Sequence, residues 1–156
     1  MGPSLPRMAD DTTYTSSHVG ICVSDIDRSM RFYCDGLGFA PAERYDLDDT
    51  QMPGLERSLE MESGITVISQ MIQHGPMKVE LLAYPGRAAH GAPSASRGLL
   101  GLTHLSFNVE KVDTAAKRLV EHGGTILEQT RSEAGIVLLF LTDPDGTRVE
   151  LMGGAG

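Results

Sequence analysis

Four residues of this chain have the right chemistry to share one metal ion: His18, Glu80, His104 and Glu150. The histidines lie in the similar stretches "SHVGICV" at 17–23 and "GLTHLSFNV" at 101–109, and the glutamates in "VELL" at 79–82 and "VELM" at 149–152. Two neutral imidazoles and two carboxylates supply two nitrogens and up to four oxygens. That set suits one divalent ion of Zn, Ni, Co, Mn or Fe(II); it lacks both thiolate ligands and an oxygen-only cage. An ion held this way keeps open positions for water or substrate, as catalytic centres do and closed structural zinc sites do not. A metal gripping neighbouring substrate oxygens acts as a Lewis acid on a carbonyl and makes the adjacent C–H acidic. A nearby carboxylate can then carry the proton. Glu150 is the expected base, with Glu80 its counterpart on the other side.

These residues must be positioned by strands. With a two-residue period, Val19, Ile21 and Val23 share one face and His18, Gly20 and Cys22 the other. Leu105, Phe107 and Val109 likewise oppose His104, Ser106 and Asn108. Val79 and Leu81 oppose Glu80, and Val149 and Leu151 oppose Glu150. One glutamate in mid-strand is ordinarily a solvated outer-face residue. Here His and Glu recur in matching places, all turned from the aliphatic faces. If the sheet curls, the second face becomes a partly buried hollow, in which unpaired carboxylates are costly and a cation removes the cost.

Setting His18 against His104 brings the two halves into register, pairing Ile26 with Val112 and Asp27 with Asp113. Each first strand runs into a helical segment, Ile26, Met30, Tyr33 and Leu37 in one half and Val112, Ala116, Leu119 and Val120 in the other. Asp25 or Asp27 can cap the first; His122-Gly123-Gly124 ends the second. Three strands are then expected in each half: "RSLEME", "ITVISQMI" and "MKVELLAY", then "GTILEQ", "IVLLFL" and "RVELM". The expected organisation is a flexible tail at 1–15, a first module at 16–85, a linker at 86–101, a second module at 102–152 and a short tail at 153–156.

Composition narrows the classes. A net charge of -8 with scattered basic residues argues against nucleic acid and anionic lipid as partners. No apolar run approaches a membrane span, and the N-terminal segment lacks the apolar middle of a signal peptide. Cys22 and Cys34 have neither disulfide-scaffold nor metal-pair spacing; they read as small buried hydrophobes in a reducing, cytoplasmic setting. The "GLG" at 36–38 reads as a helix-ending turn, not a phosphate cradle. His74, His90 and His122 fit a turn, a surface loop and a helix cap, and Arg44 and Tyr45 fit either a pocket wall or the surface.

The stretches "HVGICVSDIDRSMRFYCDGLGF", "THLSFNVEKVDTAAKRLVEHGG" and "FLTDPDGTRVEL" resemble the vicinal oxygen chelate superfamily of glyoxalases, bleomycin-resistance proteins and dioxygenases, over roughly residues 16 to 152. The resemblance implies an α+β fold of two βαβββ modules forming a cupped mixed sheet, usually completed in a homodimer around a small-molecule substrate. It also implies metal ligands at His18, Glu80, His104 and Glu150, agreeing with the face reading. The His, Glu, His, Glu set is that of glyoxalase I, a metal-dependent isomerase or lyase. Methylmalonyl-CoA epimerases generally carry glutamine where this chain has Glu80. Extradiol dioxygenases use two histidines and one carboxylate, and antibiotic-sequestering members often lack intact ligands. No residue here stands out from sequence as a glutathione anchor.

Overall fold

The computed structural model describes residues 13–93 and 96–155, so most of the expected N-terminal tail lies outside the described residues. Two sheets of four strands form, each with a helix between its first and second strands. In the first half β1 (Val19–Cys22) leads into α1 (Ile26–Met30), which continues as a π-helical segment Arg31–Gly36. Then come β2 (Ala40–Asp48), a short α2 (Leu55–Ser58), β3 (Thr66–His74) and β4 (Met77–Ala83). The second half holds β5 (Leu105–Lys111), α3 (Val112–Glu121), β6 (Thr125–Ser132), β7 (Val137–Thr142) and β8 (Arg148–Gly154). Among the described residues no helix is long and apolar enough to cross a membrane.

The strand orders are β1-β4-β3-β2 and β5-β8-β7-β6, the same order twice. In both sheets the first strand runs parallel to the last, and the other pairings are antiparallel. Parallel pairing needs a crossover, which the helix and two intervening strands supply. Asp25 caps α1, its carboxylate accepting the Arg28 N–H at 2.8 Å. Gly75, at φ 57, makes the tight β3–β4 turn.

The expected faces hold. Val79, Leu81, Val149 and Leu151 are fully buried in a core shared by both halves, with Phe32 and Tyr33 from the first helix and Val112 and Leu119 from α3. The halves meet through this helical layer: a Cβ on Gly124 would stand 2.9 Å from both the Leu119 carbonyl oxygen and the Phe32 ring. Polar contacts lock the same seam. The Tyr33 hydroxyl donates to Asp143 at 2.9 Å, while Asp145 accepts from the Ser24 hydroxyl at 2.6 Å and from Arg28 at 2.7 Å.

Two expectations fail. The second strand of the first half is Ala40–Asp48 and not "RSLEME", whose residues fall in α2 and the coil after it. Ala40–Asp48 is an exposed sheet edge, so it carries no hydrophobic alternation, and its Pro41 is tolerated beside a bulge in that edge. Cys22 is exposed rather than buried, because it lies on the face turned away from the helices.

Candidate metal centre

Each histidine immediately precedes the edge strand of its sheet, His18 before β1 and His104 before β5. Each glutamate lies on the neighbouring parallel strand, its Cα opposite the residue two past the histidine: Gly20 opposite Glu80, Ser106 opposite Glu150. Side chains separated by two residues share a face, so the imidazole reaches across to the carboxylate. His18 Nε2 lies 3.1 Å from Glu80 Oε2, and His104 Nε2 lies 3.5 Å from Glu150 Oε2. All four side chains are sheltered but open to solvent, from 36% exposure at His18 to 12% at Glu150.

Behind each ring stands a hydroxyl. Ser17 Oγ lies 2.9 Å from His18 Nδ1, and Thr103 Oγ1 lies 2.8 Å from His104 Nδ1. A hydroxyl can donate to Nδ1 or accept from it, so it supports the ring whether Nε2 carries a proton toward glutamate or offers a lone pair to a cation. In chemistry the donors suit a divalent ion: each half presents one hydroxyl-backed imidazole nitrogen beside one carboxylate.

The carboxylates are held differently. Glu80 accepts the Ser69 hydroxyl on Oε1 at 2.5 Å and faces His18 with Oε2. Glu150 accepts the Ser106 hydroxyl on Oε2 at 2.6 Å, and the same Oε2 faces His104. Among the described residues nothing engages Glu150 Oε1. The second half also has a feature absent from the first. The Phe140 ring meets His104 edge-on with centroids 5.2 Å apart, and the Arg148 guanidinium covers that ring at 4.5 Å. Burial, then the nearby Arg97 charge, pull the Arg148 pKa below the usual arginine value.

The chain thus brings the four expected ligands together as two pairs. Among the described residues no three His, Cys, Asp or Glu side chains gather around one point. The other candidates fall elsewhere. His74 packs against the Phe39 and Phe107 rings, and His122 is the C-terminal cap of α3. Tyr45 is exposed. Arg44 and His90 join Cys22, Met61, Tyr84 and Arg87 in lining a cavity of about 970 Å³, whose lining includes none of the four ligands. Sequence reasoning missed Ser17, Ser69, Thr103, Ser106, Phe140 and Arg148. Only the hydroxyl residue before each histidine carried a signal, since it recurs in both halves.

Residues 15–151 match the family model described as the Glyoxalase/Bleomycin resistance protein/Dioxygenase superfamily. A probable lactoylglutathione lyase from Synechocystis is 26% identical over 137 residues, covering 86% of this chain and 92% of that protein. A catechol-2,3-dioxygenase from Bacillus subtilis is 25% identical over 146 residues, covering 88% of this chain and 42% of that protein. A glyoxalase family protein from Bacillus cereus superposes with a TM-score of 0.76 at 22% identity, over 96% of this chain and 99% of that one, a likeness of fold. The repeated strand order, the duplicated His–Glu pairs and the match over nearly the whole described chain place the protein in the Glyoxalase/Bleomycin resistance protein/Dioxygenase superfamily.

Proposed function

We propose that the chain is a subunit of a metal-dependent lyase or isomerase of the glyoxalase type, which moves a proton next to a carbonyl of a small chelating substrate. The observation that carries this reading is the duplicated pair: in each half a hydroxyl-backed imidazole turns Nε2 toward a glutamate, at the start of a strand with one open edge. A second copy that set its β5 beside this β1 would bring His104 and Glu150 of the partner subunit to His18 and Glu80. The four side chains would then hold one divalent ion per site, and a bound ion would supply Lewis acidity at the substrate carbonyl.

The chain's own residues then divide the work. Glu80, with both oxygens engaged by Ser69 and His18, is fixed as a ligand. Glu150, anchored through Oε2 alone, has Oε1 to receive and return a proton. Similarity to a probable lactoylglutathione lyase supports this chemistry. Metal analysis of the purified protein, followed by an assay of hemithioacetal isomerisation, tests the reading. Bound divalent metal with metal-dependent turnover is expected. A metal-free chain with no turnover after metal addition would overturn it.

A second reading, sequestration of a flat ligand without catalysis, is favoured by the cavity of about 970 Å³ away from the four ligands. Tight ligand binding by metal-free protein distinguishes it. Acyl-CoA epimerisation would use the same proton transfer and differ only in substrate.

A further inference from the structure

Arg148 lies two residues before Glu150 on the same face of β8, and its guanidinium carbon lies 4.5 Å from the centre of the Phe140 ring, which in turn contacts His104. His104, Phe140 and Arg148 therefore form a continuous row leading away from the ligand pair. A cation–π contact of this kind leaves the guanidinium N–H groups to bind an acceptor. Arg148 Nε is buried without a hydrogen-bond partner, and among the described residues no carboxylate pairs with the side chain. Arg28, Arg44, Arg87 and Arg131 are all matched to acidic partners.

A buried donor without an acceptor is costly and calls for an explanation. The chain carries a net charge of -8, yet no ion pair to Arg148 forms among the described residues, and Arg97 adds positive charge nearby. The first half has no equivalent. Met71 stands opposite Glu80 where Phe140 stands opposite Glu150, and Lys78 takes the place of Arg148. Any anion site is therefore one-sided, which would orient a substrate: chelating oxygens toward the ligands, tail toward Arg148.

Resting on the reading of the active centre above, we propose that Arg148 is a specificity residue that binds a carboxylate of the substrate. The substrate class is then small carbonyl compounds carrying a carboxylate within reach of their two chelating oxygens. A planar guanidinium matches a planar, singly charged carboxylate in paired N–H···O bonds.

The test uses zinc-loaded protein titrated calorimetrically with succinic monohydroxamate, a bidentate oxygen chelator with a free carboxylate, and with its methyl ester. Wild type is expected to prefer the acid by roughly tenfold or more, the ordinary effect of one charge-assisted hydrogen-bonded pair. In Arg148→Gln the preference should fall to within about twofold with the ester's affinity unchanged; Arg148→Lys should keep part of it. Equal affinities in wild type, or a preference that survives in Arg148→Gln, would overturn the proposal. A second measurement needs no metal: the Arg148 Nε–H signal in ¹⁵N NMR should move with succinate and stay still with succinamide. A chain that takes up no zinc sinks the metal reading alone, and the Nε–H response then decides the role of Arg148 in either direction.

Discussion

Glu80 and Glu150 occupy equivalent places in the repeat, yet Ser69 holds the first from β3 and Ser106 holds the second from β5. In the first half Gly20 stands where Ser106 stands in the second, so the hydroxyl on that side is missing there. Under the proposed function, this difference separates the roles of the two glutamates. Glu150→Gln should lower turnover by about 10²–10⁴-fold, the usual contribution of a general base, whereas Glu80→Gln should act mainly through metal affinity. Steady-state rates at saturating metal separate the two; equal losses at saturation would contradict the assignment. His104→Ala should remove most metal binding and leave the chain folded, because the ring lies outside the core. Thr103→Val should weaken metal by about 10–100-fold through loss of the contact to Nδ1. The two His–Glu pairs were legible because repetition exposes them: a lone strand histidine says little, and two in the same register say much. Ser69, Ser106 and Arg148 were not, since their roles depend on neighbours across strands, and no spacing along the chain encodes that.

The helices and the loop between β7 and β8 carry the seam between the halves. Tyr33, on the π-helical segment, is buried and donates to Asp143, which also accepts the Asp145 and Thr147 backbone N–H groups at 2.9 and 2.8 Å. Tyr33→Phe should cost about 1–3 kcal/mol in denaturant unfolding, since it strips one bond from a buried carboxylate. Burial outweighs those hydrogen bonds and raises the Asp143 pKa above its ordinary 3.8. The folded chain therefore binds this proton more readily than the unfolded one. Its contribution to stability is fully present below pH 3.8 and is lost as pH rises through the raised value. The unfolding free energy of wild type minus that of Asp143→Asn should fall over that window and then level off. A difference that stays flat or climbs would show that burial does not dominate. At this scale the sequence was clear wherever an element has one buried face, as in β4, β7, β8 and α3. It was silent for Ala40–Asp48, where an exposed edge strand hides its period.

At the scale of the molecule, the two halves pack through their helices, and β1 and β5 are left as the outermost strands of separate sheets. Unpaired strand edges invite pairing, and here each is flanked by one of the two His–Glu pairs. The exposed Leu99, Leu100 and Leu102 just ahead of His104 add apolar surface at the same margin. Under the proposed function, a two-fold dimer joining β1 of one chain to β5 of the other would give two equivalent centres, each drawing His18 and Glu80 from one subunit and His104 and Glu150 from the other. Complementation follows from that geometry. Homodimers of His18→Ala and of His104→Ala each lack one ligand at both centres. A heterodimer of the two variants has one centre with both histidines replaced and one with all four ligands intact. Co-refolding equal amounts should therefore restore about one quarter of the wild-type high-affinity metal sites, from random pairing of two kinds of subunit. Centres built within single chains would give no recovery at any mixing ratio, because every centre would still lack a histidine. Titration of metal into the mixture, beside each variant alone, reads the result directly.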